Sequence, residues 1–189
     1  WDRALSDNEL HAEMMADTFV GGSETTTNAL SAGIKLLIEN PAVWEQLKHD
    51  TGTHLRAFIE EVLRLESPVQ MLLRRTTSAT ELNGVAIPEG ALIGVRYGAA
   101  NRCEGQFSCP ADLRLDRDKP GAHLAFGSGI HHCLGAPLAR RELWWGFKTF
   151  IDRVDSAQFT PGANDFSYQP HCLLRALTSL QIDFQLQSS

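Results

Sequence analysis

The stretch FGSGIHHCLG, residues 126–135, is the most informative part of this 189-residue chain. It places Cys133 among three glycines, which allow the backbone to pass close to a ligand. The segment APLAR, residues 136–140, follows at once and predicts a helix that begins near Gly135. A helix N-terminus directly after a cysteine favours the thiolate form of its side chain. For any lone cysteine in a glycine-rich turn, the alternative is a buried structural thiol.

The same stretch matches every fixed position of the cysteine-loop signature Phe-Gly-x-Gly-x-His-x-Cys-x-Gly, and so resembles the cytochrome P450 family. The matching residues are Phe126, Gly127, Gly129, His131, Cys133 and Gly135. Such a dense match outweighs the alternative of a structural thiol. The resemblance implies that Cys133 is the axial ligand of haem iron, and that Phe126, Gly127 and Gly135 shape the haem site. A thiolate ligand pushes electron density onto the iron and favours O–O cleavage.

A second landmark lies upstream, where Glu61-Val62-Leu63-Arg64 matches the Glu-x-x-Arg motif of the family. Side chains three residues apart share one helical face and can pair. Many surface helices carry such a pair by chance, so its position between Gly21-Gly22 and Cys133 is what makes it informative. The resemblance implies that Glu61 and Arg64 support the cysteine loop and are not catalytic.

The stretch GGSET, residues 21–25, resembles the oxygen-binding kink in the long distal helix of the family. The resemblance assigns Gly21 and Gly22 to the haem site, and it assigns Glu24 and Thr25 to the delivery of protons to dioxygen. The alternative is that the acidic and hydroxyl residues only cap a helix that restarts after a break.

Arg74 and His131 fall on the positions that hold the haem propionates in the family. A guanidinium can bind a carboxylate through two hydrogen bonds, and Arg75 could serve instead of Arg74. An exposed arginine pair is the alternative. Residues 100–104 resemble Ala-Asn-Arg-Asp-Pro but carry Cys103 and Glu104 in place of the last two residues. Residues 174–180 resemble the closing strand region, without its usual glycine and proline.

Composition narrows the possible function classes. A hydrophobic fraction of 43% is enough for a core, and a net charge of −6 gives no sign of nucleic-acid binding. No apolar run reaches the roughly 18 residues of a membrane span, and no secretory signal is visible, so we expect a soluble, cytoplasmic protein without membrane contact. The four cysteines form no Cys-x-x-Cys motif and suggest free thiols, not a zinc site or a disulfide scaffold.

Periodicity predicts the order of the elements. Residues 9–39 form a long helix that is interrupted at 21–27, either by a bend or by a complete break. Further helices are predicted at 41–48, 54–65 and 135–154, with a turn at 51–53. Asn83-Gly84 predicts a hairpin, and Ile87-Pro88-Glu89-Gly90 predicts a type I turn before a strand at 92–95. Residues 101–132 are loop-rich, and short strands are predicted at 172–176 and 180–186.

These features predict a mainly α fold with small β-sheets, the C-terminal half of the cytochrome P450 fold. Residues 1–189 would form one haem-thiolate domain without the N-terminal half, because a complete family member is about twice as long. The chain is then either a fragment or a truncated relative. Apolar faces on the helices at 9–39, 54–65 and 135–154 would be bare, so we expect self-association or an N-terminal partner chain.

The implied function is that of a haem-thiolate monooxygenase, or of its haem-binding half. It would insert one oxygen atom of dioxygen into a small organic substrate, with electrons from a ferredoxin or reductase. A peroxide-driven enzyme is an alternative, although such relatives often lack the acid–alcohol pair that Glu24 and Thr25 provide. A helper or scaffold without redox turnover is another, although such helpers have usually lost the cysteine.

Overall fold

A computed structural model describes residues 4–187, in which helices predominate and small antiparallel sheets lie between them. This confirms the predicted fold class. The helices are α1 (Asp7–Glu9), α2 (Asp17–Glu39), α3 (Pro41–His49), α4 (Thr51–Glu66), α5 (Tyr97–Ala100) and α6 (Ala136–Arg153), with a π-helical segment Leu10–Ala16 and a 3₁₀ turn Gly129–His131. The strands are β1 (Leu72–Arg75), β2 (Thr80–Leu82), β3 (Val85–Ile87), β4 (Leu92–Val95), β5 (Val154–Phe159) and β6 (Ile182–Leu186).

Helix α2 continues through residues 21–27, so the complete break, one of the two alternatives expected there, is wrong. The hydroxyls of Thr25 and Thr27 donate to the carbonyl oxygens of Gly21 and Ser23, at 2.7 and 2.8 Å. Hydroxyl residues can therefore stay inside the helix, because they bond to the preceding turn and not to a new cap. The irregularity lies earlier, in the π-helical segment Leu10–Ala16.

Helices α2 and α6 pack closely because each contributes a glycine to the contact. A Cβ atom at Gly33 would lie 2.2 Å from Cζ of Phe147, and one at Gly146 would lie 2.6 Å from Cδ2 of Leu30. Phe147 is fully buried and meets Phe58 of α4 edge to face, with 5.2 Å between ring centroids. The core therefore lies where α2, α4 and α6 meet.

The boundaries of α3 and α4 depend on local caps. Helix α3 begins at Pro41 as predicted, but the side chain of Asn40 donates to the Leu36 carbonyl oxygen and does not cap α3. The predicted turn at 51–53 is wrong, because Asp50 accepts a hydrogen bond from the Thr53 N–H at 3.0 Å and α4 starts at Thr51. Helix α4 ends at Glu66, one residue beyond the predicted end at 65.

The hairpin between β2 and β3 is confirmed. Asn83 and Gly84 have φ angles of 50° and 81°, the two positive values that a type I′ turn requires. The following turn is one residue later than predicted. The Ala91 N–H donates to the Pro88 carbonyl oxygen at 3.4 Å, and Gly90 has a φ of 79° at the third position. A positive φ there indicates type II, so the type I prediction is wrong.

Helix α6 covers Ala136–Arg153, which confirms the predicted terminal helix, and β4 and β6 confirm two predicted strands. Strand β5 was not predicted; it follows α6 directly and pairs antiparallel with β6. The predicted strand at 172–176 is wrong, since only an isolated bridge joins Leu174 to Val69. Among residues 4–187, no helix is long and apolar enough to cross a membrane.

Candidate functional site

The cysteine loop is shaped by two glycines in the left-handed region. Gly127 and Gly129 have φ angles of 68° and 74°, which other residues adopt only with strain. Between Phe126 and Cys133 the loop closes on itself, because the Cys133 N–H donates to the Phe126 carbonyl oxygen at 2.9 Å. The sequence therefore folds locally into a closed loop that carries one thiol.

The Cys133 side chain is exposed, and α6 begins three residues later at Ala136. Two neighbouring apolar side chains are almost entirely exposed, Ile130 at 98% and Leu134 at 97%. An accessible sulfur beside a helix N-terminus, with bare apolar groups on both sides, fits the axial ligation of a flat apolar group such as haem. The predicted residues Phe126, Gly127, His131, Cys133 and Gly135 share this one loop.

The predicted pair of Glu61 and Arg64 is buried and bidentate. Arg64 donates from Nε and Nη2 to the two Glu61 oxygens at 2.6 and 2.9 Å, and neither side chain is exposed. Arg64 also donates to the carbonyl oxygens of Asn101, Pro110 and Asp112. These contacts fix the irregular segment that leads towards the cysteine loop, which agrees with a supporting role.

Arg117 belongs to the same cluster and was not identified from the sequence. Its Nε donates to Glu61 Oε1 at 2.9 Å, while the Arg114 N–H donates to Glu61 Oε2 at 3.0 Å. Burial by itself raises the pKa of Glu61, but the hydrogen bonds from Arg64 and Arg114 lower it by more. No motif signalled Arg117, because 56 residues separate it from its partner.

Asn101 connects the support to the loop. Its side-chain amide donates to the Ser67 hydroxyl at 2.8 Å, and its side-chain oxygen accepts from the Leu124 N–H at 2.6 Å. Asn101 is fully buried, so both bonds are shielded from water. The end of α4 is thereby joined to the residues that enter the cysteine loop.

The acid–alcohol pair lies on α2. Glu24 is exposed, Thr25 is partly buried, and the Thr25 hydroxyl is hydrogen-bonded to Gly21 as described above. A Cβ atom at Gly21 or Gly22 would meet nothing within 4 Å, so this face of the helix is open. Within residues 4–187, no hydrogen bond or ion pair links Glu24 or Thr25 to Cys133.

The two arginines of β1 differ in their contacts. Arg75 donates to the Gly90 carbonyl oxygen at 2.7 Å across the sheet, whereas Arg74 donates only to its neighbour Leu73 at 2.8 Å among the described hydrogen bonds. Both are exposed. Arg74 is therefore the freer of the two for an external carboxylate. Strand β4, the partner of β1, leads into Tyr97, whose hydroxyl lies 3.8 Å from the Cβ position of Gly127.

Comparison with known proteins identifies the family of the chain. Residues 2–157 match the family model of cytochrome P450. The chain is 34% identical over 172 residues to cytochrome P450 144 of Mycobacterium tuberculosis, covering 91% of this chain and 39% of that protein. It is 36% identical to the polyketide biosynthesis cytochrome P450 PksS of Bacillus subtilis, covering 94% of this chain and 44% of that protein.

Solved structures agree in fold. Substrate-free CYP109E1 from Bacillus megaterium superposes with a TM-score of 0.90 at 34% identity, covering 98% of this chain and 47% of that one. Tirandamycin C-bound TamI also gives a TM-score of 0.90, at 36% identity, covering 96% of this chain and 45% of that one. The chain thus spans less than half the length of these relatives. On the match to its family model and to these relatives, the chain belongs to the cytochrome P450 family.

Proposed function

We propose that this chain is the haem-binding part of a haem-thiolate monooxygenase, with Cys133 as the axial ligand. The observation that carries the proposal is the exposed Cys133 thiol on a loop set by Gly127 and Gly129. Members of the family bind haem. When bound, haem supplies the activation of dioxygen, so that one oxygen atom enters an organic substrate and the other leaves as water.

We assign the propionates to Arg74 and His131. Both side chains are exposed, and both can donate to a carboxylate, the arginine through two nitrogens. The Tyr97 hydroxyl lies 3.8 Å from where a Cβ atom of Gly127 would be, and this proximity of the end of the β1–β4 sheet to the cysteine loop supports the assignment. Residues 1–189 would then act as one haem-thiolate domain, the C-terminal part of a longer fold.

We assign proton delivery to Glu24 and Thr25. The Thr25 hydroxyl donates to the Gly21 carbonyl oxygen, which leaves its lone pairs free to accept a hydrogen bond from a donor such as water. Glu24 is exposed and can exchange protons with solvent. An intact acid and alcohol favour a dioxygen-dependent reaction over a peroxide-driven one.

A ferredoxin or reductase would supply electrons at a face formed by α4 and α6. A surface cavity of about 450 Å³ is lined there by the exposed Arg56 and Arg141, together with Pro137 and Trp144 of α6. Two exposed cations and a half-buried aromatic ring suit an acidic protein surface. Pro137 lies four residues after Cys133, which gives a short path from this face to the ligand.

The substrate would be a small organic molecule. CYP109E1, a relative of 34% identity, has been solved with testosterone, and TamI has been solved with tirandamycin C. These relatives were solved with different ligands, so the proposal extends only to the class. We further propose a cytoplasmic location, which the four free, exposed thiols favour because such thiols persist in a reducing compartment.

A second polypeptide surface would cover the apolar face of α2 and the π-helical segment. Phe19 and Val20 are 67% and 65% exposed, and Leu10, Met14 and Met15 are exposed as well. We propose that either an N-terminal half or another copy of the chain packs here. Sedimentation should show association or a requirement for the N-terminal half; a compact haem-saturated monomer would contradict this.

The test of the function is haem binding by the purified chain. On reduction under carbon monoxide, the loaded protein should give the red-shifted Soret band that is characteristic of thiolate ligation. Absence of this band after haem loading, both for the chain alone and for the chain joined to the N-terminal half, would contradict the proposal and favour a scaffold without redox turnover.

A further inference from the structure

A second buried carboxylate, Glu60, stands next to Glu61 in α4 and has no part in the function proposed above. Its Oε1 accepts from Nε of Arg140 at 2.6 Å, and its Oε2 accepts from Nη2 of Arg140 at 2.9 Å. His123 Nε2 lies 2.9 Å from Oε2. Glu60 thus joins α4, α6 and the segment that enters the cysteine loop.

The hydrogen bonds of His123 fix its tautomer. The Ala125 N–H donates to Nδ1 at 3.2 Å, so Nδ1 carries no hydrogen and Nε2 donates to Glu60. The ring is buried, and its orientation is therefore set by both contacts. Ala125 immediately precedes Phe126, so Glu60 acts through His123 on the residue before the loop.

Arg140 acts on the loop from the other side. Its guanidinium carbon lies 4.5 Å from the centroid of the Phe126 ring, a cation–π contact. The carbonyl oxygen of Phe126 accepts the Cys133 N–H at 2.9 Å. One carboxylate therefore orients two neighbours, and both of them touch the short segment that holds the backbone of Cys133.

We propose that Glu60 is a positioning residue for Cys133, acting through His123 on Ala125 and through Arg140 on Phe126. That Glu60 positions a metal ligand rests on the proposed function of Cys133, whereas its effect on the backbone of the loop does not depend on that function. Glu60 and Glu61 support different segments, because successive helical residues point about 100° apart. Glu61 and its arginine partners hold residues 101–117, whereas Glu60 holds the cysteine loop.

The charge state of Glu60 is consistent with this role. Burial by itself raises its pKa, but the hydrogen bonds from His123 and Arg140 lower it to about 2. The carboxylate is therefore ionised at neutral pH, and its bonds to both neighbours are charge-assisted.

The test is amide hydrogen exchange in the haem-free chain with Glu60→Gln, which keeps the shape of the side chain and removes its charge. We expect exchange of the Cys133 amide to accelerate by about tenfold or more, since loss of local contacts raises the population of open loop. The matched control is Glu66→Gln. Glu66 is also buried in α4 and bound to an arginine, Arg175 at 2.9 Å, but it contacts the C-terminal segment instead of the loop.

Glu66→Gln should leave the Cys133 amide within about twofold of wild type. Equal acceleration in both variants, or no change in Glu60→Gln, would overturn the proposal. If Glu60→Gln does not fold, Arg140→Lys decides, because Arg140 is partly exposed and lysine cannot make the bidentate contact. It should also accelerate exchange at Cys133 selectively, and an unchanged rate would overturn the proposal.

A spectroscopic measurement distinguishes a positioning role of Glu60 from a general loss of stability. In the haem-loaded chain, the fraction of the reduced carbon-monoxide complex with the thiolate-type band should fall in Glu60→Gln and not in Glu66→Gln. Equal fractions in both would contradict the proposal. If neither the wild type nor a variant binds haem even with the N-terminal half present, the proposed function fails, while the exchange experiment still decides the role of Glu60.

Discussion

Arg64 binds both carboxylate oxygens of Glu61, and neither side chain is exposed to solvent. Removal of one partner leaves the other charge buried without compensation, which costs roughly 3–5 kcal/mol. We therefore expect Arg64→Ala to lower the free energy of unfolding by about this amount and to impair haem retention. Chemical denaturation should show it. Arg114→Ala, which removes an exposed pair with Asp116, should have little effect; a stable, haem-replete Arg64→Ala protein would contradict the supporting role.

Cys133→Ser should abolish the thiolate-type carbon-monoxide band of the haem-loaded chain. Serine cannot supply a thiolate ligand, although it fits the same space. The controls are Cys103→Ala, Cys109→Ala and Cys172→Ala, which remove the other free and exposed thiols and should keep the band. A thiolate spectrum in Cys133→Ser would disprove the central assignment.

Thr25→Ala should uncouple the complete enzyme. Without the hydroxyl, proton delivery loses its controlled donor, so product formed per electron pair should fall severalfold while peroxide rises. Thr27→Ala is the matched control, because its hydroxyl makes the same bond to a carbonyl one turn back but points about 200° away around the helix. Equal coupling in the two variants would argue against a role for Thr25.

Gly33→Ala should destabilise the contact between α2 and α6. The added Cβ would lie 2.2 Å from the buried ring of Phe147, and overpacking of this kind costs roughly 1–3 kcal/mol. Gly52→Ala serves as control, since its Cβ would meet only Asp50 at 3.7 Å on the surface of α4. Thermal unfolding compares them, and a Gly33→Ala protein as stable as Gly52→Ala would mean that the helices can separate without cost.

Protonation of Glu60 should account for part of the fall in the free energy of unfolding at low pH. Its pKa is lowered from 4.5 to about 2 in the folded state, so the contribution is complete above pH 4.5 and is lost as the pH falls towards 2. The full loss corresponds to about 3 kcal/mol. Denaturant titrations across this window should show a shallower decline for Glu60→Gln than for wild type. Parallel declines would show that other carboxylates, and not Glu60, carry the effect.

The parts of the fold that were predicted correctly are those with a local chemical cause. Asn83-Gly84 specifies its hairpin because both residues tolerate a positive φ, and Pro41 starts α3 because its fixed φ suits a first turn. The predicted turn at 51–53 is wrong because the Asp50 side chain accepts a hydrogen bond from the Thr53 N–H and so caps a helix that starts at Thr51.

Long-range features had no local signal. Strand β5 follows α6 without a glycine or proline between them, so only its pairing with β6 reveals it. In the candidate site, the loop residues around Cys133 were predicted because they are contiguous. Arg117, His123 and Arg140 were missed as partners of Glu60 and Glu61, since pairing across 56 to 80 residues depends on the packed helices.

Arg64 holds an irregular segment by its backbone, through the carbonyl oxygens of Asn101, Pro110 and Asp112. Every amino acid supplies such an oxygen, so these hydrogen bonds do not depend on the side chains of the residues that they hold. The exposed Cys103 and Glu104 are therefore tolerated in this segment, whereas the ring of Phe107 is buried with its centroid 5.1 Å from the Arg64 guanidinium carbon. Arg117 shares this role through the carbonyl oxygens of Ser108, Cys109 and Asp112, so two arginines bound to Glu61 hold the segment by its backbone.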